Sequence, residues 1–335
     1  YIPDGSRFFT VISRYDDVLA DVVKRPSYKA GDTLKLILPF LKAYGASNLG
    51  MRAYSSEHVL LVPGARDTLK FVRSVMPSFI VSTSYEQYMR SLCELIDFPF
   101  ENVYCTRLNL DEYEIAEEEE KQLRRFREEI SKMPVIEIPK GTKSLSDLPK
   151  PYRNVVERLD EIFWREILGM RIGRVLREVN PVGGFEKAKA LQDIAARLHC
   201  DLCDLMYVGD SITDVSVFRM VREAGGLTVS FNGNEYAVRE AEIAVLSENS
   251  VVVSIVADVF NRFGREKAVS LAEEWSPSAL KKYAVNSALQ EQIMKPYPGG
   301  LPRVEKITPA NMTRLMRESS TFRKSVRGEA IGRLG

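Results

Sequence analysis

The chain has 335 residues, 45% hydrophobic composition and a net charge of +1. That length allows two or three domains with well-filled cores, and the near-balanced charge excludes a protein whose main business is binding nucleic acid. No run of eighteen apolar residues and no signal peptide occurs, so the expectation is a soluble cytoplasmic protein with no membrane partner.

Residues 1–61 are expected to be helical. Leu34, Ile37, Leu38 and Leu41 recur at helical spacing, with Asp32 placed to cap that helix and Pro39 placed to kink it. Tyr15, Asp16 and Asp17 form a polar group with two open readings, a surface cluster or side chains that reach a ligand from above. Residues 62–110 alternate helix and strand. An amphipathic helix with Leu69, Val72 and Met76 precedes the buried-strand pattern Ser78-Phe79-Ile80-Val81-Ser82-Thr83-Ser84; a helix around Tyr88 to Leu95 and a strand near Val103 to Leu108 follow. Ser82, with the Thr83 and Ser84 backbone N–H groups, makes the kind of strand end that cradles a phosphate.

Residues 111–180 form a large insertion. Glu117 to Glu120 before Lys121, Arg124 and Arg125 predict a solvated helix with i,i+4 ion pairs, and Pro139 to Pro151 a linker or exposed loop. Two such blocks around one core suggest an accessory unit that closes over a site. Residues 181–249 return to the core. A Gly183-Gly184 turn puts Lys187 on the first turn of an amphipathic helix containing Ala190, Leu191, Ile194, Ala195 and Leu198. The run Leu205-Met206-Tyr207-Val208-Gly209 then ends in Asp210 and Asp214. Parallel sheets collect their ligand sites outside the carboxyl ends of their strands, and Mg²⁺ takes hard carboxylate oxygens. Capping of the next helix by Asp210 and Ser211 is the other use of these residues.

Residues 250–335 are expected to add helices interrupted at Pro296 to Pro302. The Lys/Arg-rich stretch 303–333 predicts a solvated helical tail, because its charges are not interleaved with aromatics. Cysteines 93, 105, 200 and 203 supply no four-ligand zinc pattern and are expected to be reduced thiols. His58 and His199 are the only two histidines and sit beside no catalytic-looking turn, which leaves proton chemistry to carboxylates.

Ser82 at a strand end, Lys187 opening a helix, and Gly209-Asp210 with Asp214, in this order, resemble motifs two, three and four of the haloacid dehalogenase-like (HAD) hydrolase superfamily. The Val62-Pro63-Gly64-Ala65 turn and its helix, and Phe231 to Ala237 followed by Ala241 to Val245, resemble further parts of that core. The nearest likeness is to a little-characterised archaeal branch, carried by Ser6-Arg7-Phe8-Phe9 to Tyr15-Asp16-Asp17 and by Asn232-Gly233-Asn234-Glu235-Tyr236-Ala237.

The resemblance implies an α/β fold: a Rossmann-like parallel sheet core in two parts (62–110 and 181–249), helical cap insertions (1–61 and 111–180) and a helical C-terminal extension (250–335). It also implies a Mg²⁺-dependent phosphatase that acts on a small phosphorylated molecule through an aspartyl-phosphate. Ser82, Thr83 and Ser84 would hold the phosphate, with Lys187 as a fixed positive charge. Asp210 would ligate the metal, with Asp214 as a further ligand or as the group that orients Lys187. Tyr15, Asp16, Asp17 and Asn232 would line the substrate. The motif-one aspartate of that family has no counterpart here, and Asp16 and Asp17 are adjacent rather than two apart. The expectation is therefore a chain that has lost its first strand and does not turn over substrate. Its sheet would be split, or Phe8 to Ile12 would be drawn in to fill it. The alternative is a catalytically silent HAD-like partner or regulatory subunit.

Overall fold

Short β-branched and apolar runs make the strands. In the computed structural model, which describes residues 1–327, they are β1 (Ile80–Tyr85), β2 (Val103–Thr106), β3 (Met206–Gly209), β4 (Leu227–Phe231), β5 (Ile243–Leu246) and β6 (Arg303–Lys306). β1 pairs in parallel with β2 as one sheet; β3, β4 and β5 run parallel in a second sheet that β6 closes antiparallel to β5. The protein is thus α/β with parallel sheets.

No ladder joins β1 to β3 among the described residues. Phe8 to Ile12 does not enter either sheet, for it lies in the helix Gly5–Asp17 with Phe8, Val11 and Ile12 buried among other helices. What couples the two sheets is the helix Phe185–Leu198. Its Leu191 and Ile194 share one core with Val81 of β1, Tyr104 of β2 and Tyr207 of β3. Side chains alternate across a strand, so Met206 and Val208 face the opposite core, under the helix Val251–Glu273, while Tyr207 points towards Phe185–Leu198.

The blocks 1–61 and 111–180 build one helical body with a common core. Phe8, Tyr15, Phe40, Phe126, Phe163 and Ile172 all belong to it, as do Leu108 and Leu110 just before the second block. Lys121 and Arg124 pair with Glu117 and Glu120 at 2.5 and 2.6 Å, the i,i+4 pattern expected on a solvated face. Pro39 breaks rather than kinks its segment, standing in the first turn of a new helix, Leu38–Ala43. Asp32 makes no capping bond to the short helix Thr33–Leu36. It is instead fully buried between Lys29 and Lys35, at 3.0 and 2.7 Å.

Two expectations for residues 250–335 are corrected. The extension is not purely helical, since Arg303–Lys306 adds β6 through Val245↔Val304 and Ala244↔Glu305 pairing. The last helix, Met312–Arg327, is not a solvated tail either. Leu315, Ser319 and Arg323, spaced four apart on one face, are all buried. Residues 328–335 of the basic stretch lie outside the described residues. No helix among the described residues is long and apolar enough to cross a membrane.

Candidate functional site

The turn after β3 is organised around Asp214. Its Oδ1 accepts from Lys187 Nζ at 2.7 Å and Tyr207 Oη at 2.6 Å, and its Oδ2 from the Asp210 and Ser211 backbone N–H groups, both at 3.0 Å. Gly209 makes this possible, because a Cβ there would come within 2.7 Å of the Asp214 carboxyl carbon. Burial pushes the Asp214 pKa up, but the Lys187 ammonium and the converging donors outweigh it and hold the carboxyl below its ordinary value. Tyr207 is driven the other way, well above a normal phenol, first by burial and then by the charge of Asp214. Both oxygens of Asp214 serve donors from within the fold, so its geometry is that of a positioning residue for Lys187 and the turn rather than of a metal ligand.

Lys187 is buried in the first turn of its helix, whereas Lys189 is exposed and pairs with Glu186 at 2.8 Å. The carboxyl ends of β1 and β3 converge at Gly31 of the helical body. A Cβ at that residue would lie 2.9 Å from Thr83 Cγ2, 3.2 Å from Thr213 Cγ2 and 3.6 Å from Gly183 Cα. Ser82, Thr83, Lys187 and the Asp210 turn therefore share one edge. At the end of β1 the Ser84 N–H donates to Ser82 Oγ at 3.2 Å, and the Thr83 carbonyl accepts from Thr106 Oγ1 at 2.6 Å. Beside Ser84 opens a recess of about 280 Å³ lined by Leu34, Tyr54, His58, Tyr85 and Tyr88.

The side chains of the four expected substrate-lining residues are engaged by partners within the fold. Tyr15 is in the centre of the helical core, its hydroxyl donating to Asp160 and accepting from Trp164 Nε1 at 2.8 Å. Asp16 accepts from Tyr28 Oη at 2.6 Å and from the Gly31 and Thr33 N–H groups at 3.1 and 3.0 Å, so it holds the loop over the site without reaching into it. Asp17 pairs with Arg14 at 2.9 Å. Asn232 is tied to Ser247 by reciprocal side-chain bonds of 2.8 and 3.0 Å, which extend the β4–β5 pairing. The physical reason is shared: each polar side chain is buried, and a buried polar group takes the nearest internal partner.

Asp210, turned to the open side of the turn, carries a partner that sequence reasoning missed. Arg323 of the last helix donates Nη1 to the Asp210 carboxylate and also, at 3.1 and 3.3 Å, to the carbonyls of Asp210 and Asn232. Its side chain is 4% exposed. The only available signal was the four-residue spacing of Leu315, Ser319 and Arg323. This arrangement does not suit Mg²⁺. Such an ion takes one or two carboxylates free to face it, whereas Asp214 accepts four donors from within the fold and Asp210 is paired with Arg323. A dication on Asp210 would also stand against a buried guanidinium.

No protein-family model matches the chain, and no curated protein matches it. Among solved structures it is similar to that of gene product AF1437 from Archaeoglobus fulgidus, with a TM-score of 0.78 and 26% identity over 98% of this chain and 90% of that one. The likeness runs through the helical body and both sheets, since it covers nearly the whole of this chain.

Proposed function

We propose that the strand-end site binds a phosphoryl group and that the protein is a HAD-like phosphohydrolase scaffold. The observation that carries this reading is Lys187, a buried ammonium fixed by Asp214 at 2.7 Å beside the hydroxyl-bearing end of β1. A preorganised cation and donors at the carboxyl ends of parallel strands favour an oxyanion without reorganisation. The tyrosine-lined recess next to Ser84 would hold the organic part of the ligand. Phosphoryl transfer through an aspartyl-phosphate needs a carboxylate aimed at phosphorus. Asp16 and Asp17 are spent on Tyr28, Gly31, Thr33 and Arg14, and Asp210 on Arg323. The polypeptide of residues 1–335 is accordingly expected to bind phosphate without turning over an aryl phosphate.

Titration with inorganic phosphate, followed by calorimetry, tests the site: saturable binding is expected, with Ser82→Ala several-fold weaker. Non-saturable binding, or a Ser82→Ala variant equal to the parent, would remove the phosphate reading. Steady release of nitrophenol from p-nitrophenyl phosphate would instead show that one of the acids engaged within the fold is the nucleophile.

A further inference from the structure

Among the described residues, two acids and two bases meet around the β3 turn and pair with one another. Lys187 neutralises Asp214 at 2.7 Å, and Arg323 neutralises Asp210. The loop that covers the same edge adds Lys29 and Lys35 around Asp32, with Asp16 beneath its Gly31 and Thr33 amides. Without Arg323, an arriving phosphate would meet an uncompensated carboxylate at Asp210. Repulsion of that kind between close charges is strong where water is excluded.

We propose that Arg323 is the resident cation of the site, a guanidinium doing for Asp210 what a divalent metal would otherwise do, so that phosphate binding is independent of metal. The inference rests on the phosphate reading above. Arg323 acts through Asp210 and is a positioning residue: its Nη1 bonds two backbone carbonyls as well as the carboxylate. The contact is built into the fold. Ser319, one turn earlier on the same helix, donates to the Gly233 carbonyl at 2.7 Å and fixes the helix over the β4 end. A guanidinium is always charged and supplies planar donors, which suits it to a permanent ion pair better than a lysine.

Calorimetric titration of the whole chain with inorganic phosphate, once in EDTA and once in excess Mg²⁺, tests this. The parent protein is expected to bind equally in both. Arg323→Gln is expected to bind at least about tenfold more weakly in EDTA and to recover in Mg²⁺, because the metal then has a free carboxylate to occupy. A purely structural role would not be rescued by metal. If Arg323→Gln does not fold, Asp210→Asn decides alone: phosphate binding is kept or strengthened in both buffers on this proposal, whereas binding in Mg²⁺ is lost if Asp210 serves a metal. Binding by the parent only in Mg²⁺, or loss in Arg323→Gln that Mg²⁺ does not repair, overturns the proposal while leaving the phosphate site standing. No binding in either buffer overturns both.

Discussion

Asp16 in the helical body and Asp214 at the β3 turn are both buried carboxylates that accept several hydrogen bonds, yet their environments push them in opposite directions. Burial lifts Asp16 to about 7, with Asp17 adding to the rise despite bonds from Tyr28 and the Gly31 and Thr33 amides. Asp214 is held below its ordinary value, burial being outweighed by Lys187. The hydrogen bonds on Asp16 do not offset its loss of water, and neither does the half-exposed Arg14 beside Asp17. The buried Lys187 ammonium, with the donors converging on Asp214, does. The helical body thus carries acids that resist ionisation, and the sheet edge carries one that is locked as an anion.

The sharpest way to break that contrast is Lys187→Met. It leaves Asp214 buried without its cation, which costs about 3–5 kcal/mol, read as a shift of the urea midpoint. Lys189→Ala, two positions along the same helix on the exposed face, is expected to stay within about 0.5 kcal/mol. Comparable losses in the two variants would show that Asp214 does not depend on Lys187.

Tyr207→Phe removes one of the two donors on Asp214 Oδ1 while leaving Lys187 in place. A hydrogen bond to a charged group contributes about 1.5–3 kcal/mol, so chemical denaturation should show a loss in that range. A neutral result would mean that the ammonium alone sets the Asp214 environment.

The pH dependence separates the two regions. The folded pKa values of Asp16 and Asp17, raised to about 7 and about 6, lie above the unfolded value. Their contribution is therefore complete below the unfolded pKa and lost as pH rises through 6 to 7. The lowered Asp214 contributes fully above its unfolded pKa and is lost only as pH falls through its folded one. The two tryptophans lie one in each region, Trp164 against Tyr15 and Trp275 against the Pro302 carbonyl, so single-tryptophan variants report them separately. Between pH 5 and 8 the Trp164 signal should lose on the order of 4 kcal/mol and the Trp275 signal should hold. A flat Trp164 profile would place Asp16 and Asp17 in wetter surroundings than their burial indicates.

Local pattern alone determined β1 to β3, the solvated face of Glu117–Lys132, and the register that turns Lys187 inward and Lys189 outward, because side-chain periodicity and turn chemistry act between near neighbours. The hydroxyls of β1, the lysine and the acids after β3 were likewise visible as strand-end and helix-start residues. What only the tertiary structure decided were partnerships between distant segments. Arg303–Lys306 becomes a strand through pairing with β5, and Arg323 is a tail charge until the last helix carries it to Asp210. Asp16, legible only as part of a polar cluster, proves to anchor the loop at Gly31, and Asp214 meets Lys187 and Tyr207. A sequence shows which residues can carry charge, but which opposite charge each one meets is settled by packing, since burial and the nearest partner together fix its energy.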